Sequence, residues 1–295
     1  ALLMAFAMGA MAQSGALADT FSAAFTLPRW RVGLVTAALA LTILLGGIRR
    51  IADISTVLVP VMALLYLGGG LAVILGNLRR LPEAVTLMLR CAVAPEAALG
   101  GALGIVTRRE ALRWGVARSV FSNEAGLGSA AITAACADTE DPVKQGLISM
   151  TGVFFDTMVI CTVTGLAICC SGTLGTADGA GRPLTGAALT LRAFETVLGP
   201  LAPWLIGVAL GLFAFTSVLG CAVQAETTAS YLLGPEAVRP CRVLYGLAVF
   251  AGAVIPMATV LQLADLANAL MAFPNLVCLL LLSDEIAGEG RRKDR

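Results

Sequence analysis

Long apolar runs, broken by short clusters of Arg, Pro and Gly, dominate this chain. Runs near twenty residues are too long for strands. They match what a helix rising 1.5 Å per residue needs to cross ~30 Å of hydrocarbon. The pattern predicts spans at 1–26, 32–48, 55–77, 145–170, 203–224, 243–259 and 261–282, with a shorter apolar segment at 97–107. That segment, AALGGALGIVT, contains Gly100, Gly101 and Gly104, each costing ~1 kcal/mol of helix stability relative to Ala. It predicts unwound backbone, which survives inside a membrane only when buried in protein or lining a watery cavity. From 108 to 144 the chain is more polar, and Glu110 to Phe121 reads as a helix with Leu112, Val116 and Val120 on one face. The stretch 171–200 reads as a loop with at most one short helix, and 284–295 as a polar tail.

Composition agrees with this reading. The 295 residues are 58% apolar and 13% charged, with a mean hydropathy of +0.88, where soluble domains carry ~25% charged residues. The expectation is an all-α integral membrane protein in a lipid bilayer, with one membrane domain over 1–283. The absence of histidine excludes an HExxH zinc site, a Ser–His dyad and an imidazole proton relay. The eight cysteines form no CxxC pair and read as small packing residues. A net charge of +1 provides no basic field for nucleic acid. The chain opens at Ala1 inside an apolar run, without a basic start, which predicts further helices upstream. Threading eight spans places thirteen of the twenty Lys and Arg residues on the side of the C-terminus. That excess predicts a cytoplasmic C-terminal end.

Polar residues within apolar runs are the candidates for chemistry. Asp156 sits near the middle of 145–170, where an unpaired Asp costs ~2.5–3.5 kcal/mol. Gln13 and Asp19 lie in the first run. Asp265 lies near the start of the last, where a first-turn acid complements the helix dipole. Thr216 and Ser217, in FAFTSVLG, either bond back to a carbonyl one turn earlier or offer oxygen to a hard cation such as sodium. The run SNEAGLGSA carries Asn123, Glu124, Gly126 and Gly128 and reads as a tight turn whose polar side chains cap helix ends. It lacks the Lys and preceding strand of a phosphate-binding loop. An aspartyl protease built on Asp156 and Asp265 would need a GxGD setting that the sequence does not contain.

FSNEAGLGSAAITAA, preceded by ALRWGVARSV and followed by DPVKQGLISMTGVFFDTMVICT, strongly resembles the alanine/glycine:cation symporter family. The likeness continues through TGAALTLRAF, LFAFTSVLG, YGLAVFAGAV and LADLANALMAFPNLVCLLLL. It implies sodium-coupled uptake of small neutral amino acids such as alanine and glycine across the inner membrane, with no enzyme chemistry. The implied fold is the inverted-repeat symporter type shared with neurotransmitter-sodium symporters, with ten core helices in two five-helix repeats. This chain would hold the third to tenth. The resemblance makes 97–107 the discontinuous sixth helix and places NEAGLGSA in the cytoplasmic loop after it.

Individual positions follow. Gln13, in GAMAQSG, matches a substrate-contacting glutamine, although Ala10 and Gly15 stand where the family has asparagines. Gly100 and Gly101 match the unwound pair of the sixth helix, followed by Ala102 where an aromatic is common. Thr216 and Ser217 match a sodium-binding hydroxyl pair. Cys221 stands where relatives often have a pocket-lining Trp, so Ala102 and Cys221 together imply room for a substrate larger than alanine. Two alternatives stay open: proton coupling through Asp156, and a non-transporting scaffold of the same fold.

Overall fold

The computed structural model describes residues 1–93, 108–124, 126–139, 141–177, 179, 181 and 183–285. In hydrocarbon every backbone N–H and C=O must find a partner within the protein, and a helix satisfies them within one segment. The apolar runs accordingly become α1 (Leu2–Phe25), α2 (Arg29–Leu44), α3 (Gly47–Gly76), α7 (Pro142–Ser171), α9 (Ala202–Leu233), α10 (Val238–Val254) and α11 (Met257–Leu281). Shorter helices are α4 (Leu81–Val93), α5 (Arg108–Asn123), α6 (Ser129–Ala134) and α8 (Gly186–Leu198). Starts are marked chemically. Pro28 and Pro256 precede α2 and α11. The Asp141 carboxylate accepts from the Val143 and Lys144 amides at 3.0 and 3.1 Å to cap α7, with Pro142 in the first turn, where no intrahelical N–H is needed.

Among the described residues, six helical stretches are long and apolar enough to cross a membrane, where the sequence pattern predicted eight crossings. The helix α2 has 16 residues, about 24 Å. Gly100, Gly101 and Ala102, with the rest of 97–107, lie outside the described residues, so the proposed break there is not seen. The helix α9 runs on to Leu233 instead of ending at 224. Within the predicted loop 171–200, α8 buries Leu191, Ala193 and Phe194.

Packing rests on small residues, because lipid provides no hydrophobic drive between helices and close backbone approach must replace it. The helix α10 lies against α1 so closely that a Cβ on Gly252 would sit 2.3 Å from the Met11 Cα. One on Gly9 would meet the Cys221 Cβ of α9 at 2.1 Å. The core between α1, α2, α9 and α10 holds Leu44, Val218, Leu219 and Val249, fully buried. There Tyr245 donates to the Val218 carbonyl at 2.8 Å. A second core joins Tyr66 and Val73 of α3 to Phe194 and Ile206. Leu64, Leu75 and Leu280 remain exposed, the arrangement expected of lipid-facing surface.

One ionic expectation changes, and a second in-span acid finds its partner. Asp265 lies in the third turn of α11, which begins at Met257, too far along to complement the helix N-terminus. It pairs instead with Arg118 of α5. Asp19 is held by Arg29 at 3.3 Å, whose guanidinium also donates to the Ala253 carbonyl at 3.0 Å.

Candidate functional site

The helices α1 and α9 run antiparallel, and two cavities open at opposite ends of their contact. The first, about 390 Å³, is lined by Met8, Gln13, Glu124, Asp156, Cys221 and Gln224, among others. The second, about 860 Å³, takes the other end, with Asp19, Thr20, Tyr66 and Phe213. Gln13 and Ser217 line both. The structure therefore brings Gln13, Ser217, Cys221, Asp156 and Glu124 together, although they lie up to about two hundred residues apart in sequence.

Local backbone explains part of this convergence. Gln13 follows a π-helical segment, Ala5–Ala12, and Asp156 lies inside another, Phe154–Ile160. A π segment inserts an extra residue per turn and redirects the side chains that follow, a feature common at functional sites. Asp156 accepts from Ser122 at 3.1 Å, and Asn123 donates from its side-chain amide to Thr157 at 3.4 Å. The end of α5 is thereby tied to the wide turn of α7.

The run NEAGLGSA links α5 to α6, and within it Leu127 and Ser129 are buried. Glu124, Gly126 and Gly128 take φ of 56°, 80° and 94°, and α6 then starts at Ser129. Leu127, only 2% exposed, packs among Met4, Met8 and Met271. Asn275 of α11 donates to the Gly126 carbonyl at 2.9 Å. The capping expectation changes too: Gly128, not a polar side chain, occupies the cap of α6, and the Ser129 hydroxyl bonds the Glu124 carboxylate. Among the described residues that line this cavity, none is cationic. One turn earlier on α5, the Arg118 guanidinium that meets Asp265 also lies 5.0 Å from the Phe121 ring centre, and Phe121 is a cavity wall.

Thr216 and Ser217 both donate to the Phe213 carbonyl at 3.0 Å, as hydroxyls in apolar helices do. Their oxygens and that carbonyl form a three-oxygen cluster on one turn, with lone pairs free for a hard cation. They diverge beyond it. Ser217 faces the cavities, while Thr216 turns toward the sulfur of Met62 at 3.7 Å. Three participants escaped the sequence reading: Phe213, Thr133 and Gln224. Gln224 was legible only as a polar residue seven positions after Ser217, on the same helix face.

A model of the sodium:alanine symporter family matches residues 1–291. An uncharacterized transporter of Haemophilus influenzae is 41% identical over 96% of the chain and 61% of its own length. The sodium/alanine symporter AgcS of Methanococcus maripaludis is 38% identical over 97% of the chain and 61% of its own length. The probable sodium/glutamine symporter GlnT of Bacillus subtilis is 38% identical over 92% and 55%. The chain thus spans about three fifths of the length of these relatives. A match over nearly every residue, on an all-helical multi-pass membrane architecture, establishes that the chain belongs to the sodium:alanine symporter family, a family of transporters and not of enzymes.

Proposed function

We propose that this chain forms most of the core of a sodium-coupled symporter for small neutral amino acids such as alanine and glycine, located in the inner membrane. The observation that carries this reading is the meeting of Gln13, Ser217, Cys221 and Glu124 around one cavity. Broken helices in transporters offer half-helix ends and unpaired backbone groups to an amino acid at mid-membrane. In this reading the glycine-rich 97–107 is the discontinuous helix, and the turn after Glu124 borders the site. Gln13 holds the amino acid, and Phe213, Thr216 and Ser217 contribute oxygen ligands to sodium.

The packing supports the inverted-repeat expectation. The helix α1 lies against α9 and α2 against α10, the pairing expected when third and fourth core helices meet their counterparts in the second repeat. Two cavities at opposite ends, sharing Gln13 and Ser217, suit alternating access, with sodium and substrate stabilising one another by a reciprocal coupling of typically 1–3 kcal/mol. A cytoplasmic C-terminal end follows from the excess of Lys and Arg on that side together with the family architecture.

Proton coupling is the second reading. It draws on Asp156 and Glu124, two carboxyls on the wall of the first cavity, each bonded by a serine hydroxyl. The deciding experiment is uptake of labelled alanine and glycine into proteoliposomes by the full-length protein. Dependence on a sodium gradient, insensitivity to a pH gradient and loss in Gln13→Ala support the symporter. Uptake driven by pH alone favours the second reading. No uptake under either gradient, from protein that remains folded, would leave a non-transporting scaffold.

A further inference from the structure

Gln224 is 7% exposed, lines the cavity, and its side-chain carbonyl oxygen has no hydrogen-bond partner. A buried acceptor without a donor is disfavoured unless something occupying the site supplies one. The orientation of the amide follows from its neighbours. Thr133 of α6 directs its hydroxyl toward the Ser129 carbonyl at 3.5 Å and therefore accepts from the Gln224 amide nitrogen at 3.2 Å. The oxygen is left as the free end. Glu124 and Asp156 add acceptors to this wall, the Gln13 amide and the Ser122 and Ser217 hydroxyls can both donate and accept, and no Lys or Arg is among the described lining residues. At Gln224 the site asks for a donor, while elsewhere on the wall it can serve both halves of a carboxamide.

Position narrows the class of ligand. Ser217, Cys221 and Gln224 follow at i, i+4 and i+7, one face of α9. Gln224 thus stands ~10 Å along the helix from the level of Ser217 and Gln13. The small thiol of Cys221 separates them. A substrate anchored near Gln13 with a methyl side chain extends only toward Cys221. One whose side chain is several bonds long and ends in N–H reaches the free oxygen.

We infer that Gln224, oriented by Thr133, is a specificity-determining residue that selects a neutral amino acid with a carboxamide side chain of glutamine length over alanine. This rests on the amino-acid symporter reading and goes beyond it. The test uses the full-length protein with unlabelled glutamine, alanine and lysine as competitors of sodium-driven uptake, alongside ligand-induced thermal shifts of purified protein. The expected result is stronger competition by glutamine than by alanine in the parent. In Gln224→Met the KM for glutamine should rise at least tenfold while that for alanine stays within twofold, and Thr133→Val, which releases the amide, should shift the same way. A simple loss of fold would move both substrates together.

Equal shifts for glutamine and alanine, a parent that prefers alanine, or a preference for lysine that survives Gln224→Met would overturn the assignment. If no gradient drives uptake, the thermal shifts still decide. Stabilisation by glutamine that Gln224→Met abolishes keeps the subsite while the transport reading falls. No stabilisation by glutamine in the parent sinks the subsite itself.

Discussion

Asn275 of α11 donates to the carbonyl of Gly126 at 2.9 Å, and its side-chain oxygen lies where a Cβ on Gly128 would be, 2.8 Å away. One side chain thus clamps the turn between α5 and α6 and forbids bulk at Gly128. Gly128→Ala incurs roughly 1–2 kcal/mol for a left-handed backbone, with steric overlap in addition. Asn275→Ala removes the overlap but not the strain. Thermal unfolding in detergent should find the double variant less destabilised than the sum of the singles, and both singles should lose uptake.

Close approach at Gly252 has a sharper consequence. Its Cβ would meet backbone, the Met11 Cα and carbonyl oxygen, both at 2.3 Å, so no side chain can swing aside. Gly252→Ala should destabilise by about 1–3 kcal/mol, the range for overpacking, by forcing α10 off α1. Gly152, on the outer face of α7, meets nothing within 4 Å. Gly152→Ala should be neutral or gain up to about 1 kcal/mol of helix propensity. Equal effects in a melting-temperature comparison would contradict the packing.

The Arg118–Asp265 pair is partly exposed, at 33% and 41%. Its coupling in a double-mutant cycle should be modest, roughly 0.2–1 kcal/mol. Because Arg118 also stacks over Phe121 and Trp114, Arg118→Leu should cost more than Asp265→Asn. The measurement is chemical or thermal unfolding of the two singles and the double.

Hydrophobic run length located the crossing helices, since a twenty-residue apolar stretch has few other physical solutions. It located the buried part of the polar sequence less well. Gly126 and Gly128 lie in polar sequence that reads as a surface turn. Only the burial of Leu127 against Met4 and Met271, a long-range contact, turns that run into the interior. Asp156 and Gln13 were recognisable as polar residues misplaced in hydrocarbon. Gln224 was not, because the apolar run ended at that position while the helix continued to Leu233. The helix α8 was similarly obscured by the Gly and Thr around it. Its buried face, Leu191 and Phe194, shows only once Tyr66 of α3 is placed against it.

Gln13 and Ser217 are shared walls of both cavities, and under the proposed transport cycle that position has an electrical consequence. Water filling either cavity would carry the aqueous phase as far as Ser217, so that much of the membrane voltage would fall across the side chains between the two. A monovalent ion crossing the whole of that drop would exchange about 2.3 kcal/mol at 100 mV.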